Sequence, residues 1–154
     1  MANLSMNMKV NGSECQIEVK HNETLSEVLR SQLNLTSVRE ACGQGECGCC
    51  TVIVDKDPVC SCLMLAINAD GREITTLEGL ARNGKLHILQ EKFLTHNAFQ
   101  CGYCTPGMIL KAKCLLEKNP NPTEEEIRSY FTGNLCRCGS YGNIINAVTA
   151  AAEG

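Results

Sequence analysis

The sequence has little aromatic bulk and no excess of basic charge, and both deficits argue against whole classes of protein. Its 154 residues include three Phe, three Tyr and no Trp. Fourteen basic residues stand against 17 acidic ones, which gives a net charge of −3. Because no basic block is present that could follow a phosphate backbone, the composition argues against a nucleic-acid-binding protein. The length suits one or two small domains.

Long apolar segments are also absent. Apolar runs such as Cys62–Ile67 are far shorter than the roughly 20 residues that cross a bilayer. The first residues lack the basic and apolar regions of a signal peptide. We therefore expect neither a membrane span nor secretion, and we expect a cytoplasmic location.

Cysteine, in contrast, is abundant, and its 12 residues form two groups. Seven lie between positions 15 and 62, and five lie between positions 101 and 138. In a chain without an export signal, such a framework binds metal more often than it forms disulfides. The distribution therefore predicts two metal sites.

The first half of the chain predicts a small sheet with one helix. Apolar and polar residues alternate over 6–10 and 15–19, and the intervening Asn11-Gly12 is typical of a hairpin turn. Thr24-Leu-Ser-Glu27 predicts a helix that starts with a capping box. The further elements expected are strands at 51–54, 59–65 and 73–75, with a turn at 55–58 between the first two.

From Thr76 onward the apolar period becomes that of a helix, and four helices are expected. We therefore predict an α+β protein with domains at 1–76 and 77–154. The helical signals are an apolar face of Leu86, Leu89, Phe93 and Leu94, a start at Thr105-Pro106 with an end near Lys118, a capping box at Thr123–Glu126 with an end near Gly133, and an apolar segment at Asn143–Ala152.

Two apolar runs in the helical half are wider than one core-facing stripe. They are Met108–Leu110 and Ile144–Ile145. A helix that is apolar beyond one stripe exposes part of that surface unless another element covers it. We expect these runs to form a surface that partner subunits cover.

The first cysteine group has the spacing of a plant-type [2Fe-2S] site. Cys42, Cys47 and Cys50 form C-x4-C-x2-C, which requires a fourth cysteine further along the chain. Such a cluster carries two negative charges in excess, and the glycines of this loop let the backbone curl around it and direct N–H groups at its sulfurs. Cys60 or Cys62 supplies the fourth thiolate, and the spacing alone does not decide between them.

The second group also offers four thiolates, from Cys101, Cys104, Cys136 and Cys138. A four-cysteine zinc site is the alternative reading of these residues. The C-x-C half is cramped for a tetrahedral zinc, whereas adjacent thiolates can each reach one iron of a binuclear centre. Together with the plant-type loop, this favours a second [2Fe-2S] cluster. A Rieske centre is excluded because none of the three histidines stands in a Cys-x-His pair.

The remaining cysteines and the rest of the sequence add no further chemistry. Cys15 and Cys114 lie on apolar faces and are expected to be small core residues, and Cys49 is expected to fill a position that needs a small side chain. The chain has no dinucleotide-binding glycine motif, no phosphate-binding loop and no nucleophile elbow. We expect no catalytic residues and no substrate site in this chain.

Four motifs together resemble the small iron–sulfur subunit of molybdenum hydroxylases, the xanthine dehydrogenase and aldehyde oxidoreductase family. The resemblance covers essentially the whole chain. Within the family the sequence looks most like subunits of anaerobic bacterial enzymes, nicotinate dehydrogenase among them. The motifs that carry it are Cys42-Gly-Gln-Gly-Glu-Cys-Gly-Cys-Cys-Thr-Val52, Ser61-Cys62-Leu63, Gln100-Cys-Gly-Tyr-Cys-Thr-Pro-Gly-Met108 and Gly133-Asn-Leu-Cys-Arg-Cys138.

The resemblance implies a β-grasp plant-type ferredoxin domain followed by an all-α four-helix [2Fe-2S]-binding domain. It also implies that Cys62 is the fourth ligand of the first cluster, and that Gln100 and Cys138 border a molybdopterin-type molybdenum cofactor in a partner subunit. Electrons would then pass singly through the helical-domain cluster and the ferredoxin-like cluster to FAD in another partner. The substrate implied is an N-heterocycle such as nicotinate or a purine.

Two other classes of protein account for some of the same residues. A free-standing two-cluster ferredoxin would need the same eight cysteines but no partner subunits. A zinc-stabilised adaptor would need only the second group of four cysteines. Metal content distinguishes the zinc-stabilised adaptor from an iron–sulfur subunit. Association with flavin and molybdenum subunits distinguishes an iron–sulfur subunit from the free-standing ferredoxin.

Overall fold

A computed structural model describes residues 3–154 as an α+β structure, with a sheet at the start of the chain and helices after it. Within these residues the sheet has five strands, in the order β2-β1-β5-β3-β4. The strands β1 and β5 pair in parallel, and the other neighbours are antiparallel. The strands are β1 (Leu4–Val10), β2 (Ser13–Val19), β3 (Thr51–Val54), β4 (Asp57–Cys60) and β5 (Glu73–Thr75).

Five α-helices accompany this sheet in the described residues. The first lies between β2 and β3, and the other four follow β5. None of the helices between residues 3 and 154 is long and apolar enough to span a membrane. The helices are α1 (Leu25–Ser31), α2 (Ile88–Thr95), α3 (Thr105–Lys118), α4 (Glu124–Tyr130) and α5 (Tyr141–Ala152).

The first hairpin and the start of α1 confirm the local sequence signals. The side chains of Met6, Met8 and Val10 are buried, as the alternation predicts for one face of a strand. Thr24 caps α1, because its hydroxyl accepts from the backbone N–H of Glu27 at 3.2 Å and its own N–H donates to the Glu27 carboxylate at 2.8 Å. Short-range hydrogen bonding and alternation were therefore sufficient to predict these two elements.

The region after β3 differs from the prediction. The expected turn at 55–58 is shorter, because Asp55 and Lys56 both have positive φ and alone reverse the chain. Pro58 lies within β4 opposite Ile53. A proline is tolerated there because β4 is an edge strand. The strand expected at 59–65 is wrong beyond Cys60, and the residues that follow form a turn closed by the Leu63 N–H and the Cys60 carbonyl at 3.0 Å.

The helices form where expected, but three details of the prediction were wrong. Leu86 and Leu94 are 44% and 52% exposed, because α2 begins only at Ile88 and buries Leu89 and Phe93 instead. The N-cap of α3 is Cys104 rather than Thr105. The helix α5 begins at Tyr141, two residues earlier than predicted.

The apolar runs expected at the surface are buried within this chain. Met108–Leu110 and Ile144–Ile145 are at most 6% exposed, because α3 packs on β3 on one side and on α2 and α5 on others. The expectation that these runs form a surface for partners is therefore wrong. The large apolar side chains that are exposed are Leu63, Leu65, Leu86, Leu94, Phe99, Tyr103, Leu135 and Tyr141.

Candidate metal centres

The first cysteine loop, residues 42–50, lies between α1 and β3 and has a tightly curled backbone. Its three glycines all have positive φ, a region that side chains with a Cβ rarely adopt. The N–H of Gln44 donates to the Sγ of Cys42 at 3.5 Å. The loop thus directs a backbone donor at a cysteine sulfur, as a negatively charged cluster requires.

The thiols of this loop and of the 60–62 segment come together as two sets. The Cys42 and Cys47 side chains are within hydrogen-bonding contact of each other. The Cys50 side chain contacts both Cys60 and Cys62. Cys50 and Cys62 are 1% and 6% exposed, whereas Cys42 and Cys47 are half-buried. The first centre therefore has a buried side and a more accessible side.

Cys60 and Cys62 both contact the backbone of Gly45. The thiol of Cys60 donates to the Gly45 carbonyl at 3.8 Å, and the Gly45 N–H donates to the sulfur of Cys62. Cys60 ends β4 and Cys62 lies in the turn beyond it, so the expectation that both belong to one strand is wrong. Both thiols nevertheless reach Cys50, which leaves the choice between them where the spacing left it.

The electrostatics of these thiols depend on the donors and the burial around each one. The pKa of Cys42 is lowered to about 6, chiefly by the N–H of Gln44 and then by Cys47. The hydrogen bond with Cys50 lowers the pKa of Cys60 to about 7. Burial raises the pKa of Cys62 to about 12. Without a cation, the buried side of this site therefore disfavours thiolates, which a bound metal would stabilise.

The second group of cysteines lies at the starts of α3 and α5, as the sequence predicts. Cys101 contacts Cys138, and Cys104 contacts Cys136. Cys104 and Cys136 are 9% and 8% exposed, whereas Cys101 is exposed and Cys138 half-buried. This centre therefore also has one buried pair of thiols and one accessible pair.

Backbone donors reach this second group too. Burial opposes the charged form of Cys136, but the N–H of Ser140, the Cys104 side chain and two further N–H groups of the same loop together outweigh it, so the pKa of that thiol is lowered. The N–H of Tyr103 is the main cause of the lowered pKa of Cys101. The backbone before each helix thus supports a thiolate at Cys101 and at Cys136, whereas burial raises the pKa of Cys104 to about 12.

The two cysteine loops are in direct contact through their backbones. The N–H of Leu135, the residue before Cys136, donates to the Cys47 carbonyl at 2.9 Å. The buried Asn134 side chain donates to the Gly48 carbonyl at 3.2 Å. The helix α3 also approaches closely, since a Cβ built on Gly107 would lie 2.4 Å from that same carbonyl oxygen. The contact therefore includes Cys47 itself on one side, and on the other side Leu135, which directly precedes Cys136.

A second set of contacts joins the outer edges of the loops. Arg39, just before the first loop, donates to the Gly102 carbonyl at 2.9 Å, and its guanidinium lies 5.2 Å from the centre of the Tyr103 ring. The Tyr103 hydroxyl donates to the Glu40 carbonyl at 2.7 Å. Sequence reasoning missed Arg39, Tyr103 and Asn134, because each acts on a residue more than 60 positions away. The sequence offered one signal for this contact: a basic residue, Arg39, just before the first cysteine group and an aromatic residue, Tyr103, inside the second.

Three observations test whether these residues fit [2Fe-2S] clusters. A cavity of about 500 Å³ lies between the loops and is lined by cysteines of both groups. Two buried hydroxyls, those of Thr105 and Ser140 at the starts of α3 and α5, have no hydrogen-bond partner within residues 3–154. The thiols also lie in contacting pairs, and a binuclear centre divides its four thiolates between two irons, so the pairs fit it.

Gln100 and the remaining cysteines have less specific surroundings. The Gln100 side chain is exposed, and its amide makes no hydrogen bond to any other residue that the structure describes. Cys114 is fully buried in α3, as expected for a small core residue, and Cys49 is 6% exposed. Cys15, for which the same core role was expected, is only half-buried, opposite Met8 in the first hairpin.

Comparison with known proteins identifies the class. Residues 8–81 match the family described as "2Fe-2S iron-sulfur cluster binding domain", and residues 76–149 match the family described as "[2Fe-2S] binding domain". The chain is 52% identical over 153 residues to the nicotinate dehydrogenase small FeS subunit of Eubacterium barkeri, covering 99% of this chain and 98% of that protein.

Solved structures give the same result. The chain is similar to quinoline 2-oxidoreductase from Pseudomonas putida 86 with a TM-score of 0.95 and 42% identity, covering 98% of this chain and 94% of that one. It is similar to the aldehyde oxidoreductase from Desulfovibrio desulfuricans with a TM-score of 0.92 and 44% identity, covering 96% of this chain but 17% of that longer one.

The fold and the two groups of thiols thus define a protein with two [2Fe-2S]-binding domains. The chain belongs to the small iron–sulfur subunits of the molybdenum hydroxylase family, the family of xanthine dehydrogenase and aldehyde oxidoreductase, and is an oxidoreductase subunit.

Proposed function

We propose that this chain is the electron-transfer subunit of a multi-subunit molybdenum hydroxylase. A bound [2Fe-2S] cluster takes up and releases one electron at a time. The observation that carries the proposal is the direct hydrogen bond between the loops, from the Leu135 N–H to the Cys47 carbonyl at 2.9 Å. It joins Cys47 of one centre to Cys136 of the other through the backbone, which is what a protein that conducts electrons between two centres needs.

The proposed ligands follow the thiol pairs. Cys42 and Cys47 would bind one iron of the first cluster, and Cys50 and Cys62 the other. Cys101 and Cys138 would bind one iron of the second cluster, and Cys104 and Cys136 the other. The contacts within each pair support this division. For Cys62 over Cys60 the support is the family resemblance of Ser61-Cys62-Leu63.

The proposed direction of transfer is from a molybdopterin-binding subunit, through the second cluster and then the first, to an FAD-binding subunit. Gln100, Cys101 and Cys138 lie on the accessible side of the second centre, and we place Gln100 and Cys138 against the molybdenum cofactor. The exposed Glu46 and the 64% exposed Leu63 border the first centre, and we place them towards the FAD-binding subunit.

The substrate of the complex is proposed to be an N-heterocycle such as nicotinate or a purine. Two similar proteins have names that specify such rings, a nicotinate dehydrogenase and a quinoline 2-oxidoreductase. We also propose a cytoplasmic location, because none of the 12 cysteines forms a disulfide. The domain division at 76/77 remains part of this proposal, and it falls within the overlap of the two family matches at residues 76–81.

Metal analysis and mutation of two neighbouring cysteines test the ligand assignment. The purified complex should contain two irons and two acid-labile sulfides for each of two clusters, and stoichiometric zinc would refute the iron–sulfur assignment. Cys62→Ser should remove one of the two EPR signals of the reduced protein because it removes a ligand. Cys60→Ser is the matched control, since it lies two residues away and contacts the same Cys50, and it should leave both signals. The opposite pattern would assign the fourth ligand to Cys60.

Association and mutation of Gln100 test the partners and the direction. The chain should co-purify with molybdenum-binding and FAD-binding subunits, whereas a free monomer would indicate a free-standing ferredoxin. Gln100→Ala should change the molybdenum EPR signal, and changes at Glu46 should slow flavin reduction while molybdenum reduction by substrate continues. If Gln100→Ala slows flavin reduction alone, the order of the clusters is the reverse of the one proposed.

A further inference from the structure

Cys60 is not among the proposed ligands, although its thiol lies beside one of them. Its side chain is in hydrogen-bonding contact with that of Cys50, and its sulfur lies 3.8 Å from the Gly45 carbonyl oxygen. Cys62 contacts Cys50 as well. Cys50 therefore has two thiols beside it, whereas an iron of a [2Fe-2S] cluster needs only one of them as its second cysteine ligand. The thiol of Cys60 is left without a role.

The sheet holds Cys60 next to Cys50. Cys60 is the last residue of β4 and pairs with Thr51, the first residue of β3. One residue further on, the N–H and the hydroxyl of Ser61 both donate to the Cys50 carbonyl, at 3.3 and 2.7 Å, and Ser61 is fully buried. Cys50 and Cys60 are thus fixed at adjacent positions across the end of this pair of strands, and their contact does not depend on a mobile loop.

Binding of iron decides which of the two thiols donates. A cysteine binds metal as a thiolate, so Cys50 has no proton to donate once a cluster is present, and its sulfur can only accept. Cys60 keeps its proton, because a thiolate there would stand against the excess negative charge of the cluster. A hydrogen bond to a charged acceptor is stronger than one to a neutral carbonyl. The Cys60 proton is therefore directed to the Cys50 sulfur rather than to the Gly45 oxygen.

We propose that the Cys60 thiol donates a hydrogen bond to the iron-bound sulfur of Cys50 and thereby raises the reduction potential of the first cluster. This rests on the proposed function, since it requires a [2Fe-2S] cluster that Cys50 binds and Cys60 does not. An added electron increases the negative charge on the sulfurs, so a donor stabilises the reduced cluster more than the oxidised one. Cys60 acts through Cys50 and is a positioning residue. A higher potential at the first cluster favours transfer of an electron to it from the second.

The test is a redox titration of the purified complex monitored by EPR, in which the signal that Cys62→Ser removes identifies the first cluster. Cys60→Ala removes the donor and should shift the potential of the first cluster to a lower value, with that of the second cluster and the iron content unchanged. Cys60→Ser keeps a donor, so its potential should lie closer to that of the wild type. Cys15→Ala is the matched control and should change neither potential, because Cys15 is also a half-buried strand residue whose thiol donates to a backbone carbonyl, that of Ser13 at 3.6 Å.

The possible results separate the failure of this inference from that of the proposed function. If Cys60→Ala keeps both EPR signals and the wild-type potential of the first cluster, the donor assignment is wrong and the electron-transfer function stands. If Cys60→Ala and Cys60→Ser each remove a signal, Cys60 binds iron and the inference is overturned. If the wild-type complex has no iron–sulfur signal, the proposed function itself fails. Should Cys60→Ala alone lose its cluster, Cys60→Val fills the space without a proton to donate, and the same downward shift is required of it.

Discussion

Replacing Gly107 by Ala tests the close packing of the two cysteine loops. The added Cβ would lie 2.4 Å from the Gly48 carbonyl oxygen, and ordinary contact begins at 3.4 Å. The obstacle is backbone, so α3 or the first loop must move by about 1 Å. Overpacking of this kind costs about 1–3 kcal/mol, and the loss of glycine flexibility in the unfolded chain returns about 0.4–1 kcal/mol. The difference spans about 0–2.6 kcal/mol, and its middle part, a net loss of about 1–2 kcal/mol, is the expected value.

Calorimetry of the purified, iron-loaded protein measures this loss. For a protein of this size, about 1 kcal/mol corresponds to about 2–4 °C in Tm, so Gly107→Ala should lower Tm by about 2–8 °C. Gly142→Ala is the matched control, because Gly142 also lies in the first turn of a helix that follows a cysteine pair, but a Cβ there would meet nothing within 4 Å. It should raise Tm slightly. A Gly107→Ala protein as stable as Gly142→Ala would refute the close approach of α3 to the first loop.

Three further substitutions test the surrounding contacts. Asn134→Ala should lower the free energy of unfolding by about 1 kcal/mol, because the Gly48 carbonyl keeps its hydrogen bonds from Thr51. Asn134→Asp should lower it further, because it places a carboxylate against that carbonyl oxygen. Equal Tm values for the two variants would contradict this. Tyr103→Phe keeps the ring beside Arg39 and removes only the 2.7 Å bond to Glu40, so it should cost about 0.5–1.5 kcal/mol, and no change in Tm would show that this bond is unimportant. Burial would raise the pKa of Glu78, but hydrogen bonds donated by Ser37 and Thr76 hold it below its ordinary 4.5. The stability that the Glu78 carboxylate contributes is therefore present above pH 4.5 and is lost as pH falls through the folded-state pKa. The Tm of Glu78→Gln should consequently fall less on acidification than that of the wild type. An identical acid dependence of the two proteins would contradict that assignment.

Elements determined by neighbouring residues could be predicted from the sequence. The first hairpin, the capping boxes of α1 and α4, and the positions of both cysteine pairs before helices depend on residues within a few positions of each other. The extent of β4 could not be predicted in this way. Pro58 is a turn residue by local preference, and it is tolerated in β4 only because that strand lies at the edge of the sheet.

The burial of the apolar helix residues depends on packing between elements, which the sequence of one helix does not predict. Met108–Leu110 is apolar on more than one face, and the sequence does not reveal that β3, α2 and α5 cover those faces. Leu86 fits the helical period but precedes α2, and Leu94 lies in α2 outside its buried face. The choice between Cys60 and Cys62 stays open for a related reason, because the turn after β4 brings both thiols to Cys50.

Two glycines near the centres, Gly48 and Gly107, have a role beyond the one the sequence indicates. By sequence, Gly48 serves the curl of its own cysteine loop. In the structure, a Cβ on Gly48 would lie 2.5 Å from the Asn134 amide and 2.8 Å from the Gly133 carbonyl, and a Cβ on Gly107 would meet Gly48 from the other side. Gly48 is thus enclosed by both cysteine-bearing segments of the second half. Because any side chain at either position would push the segments apart, these two glycines are what allows the two cysteine loops to approach so closely.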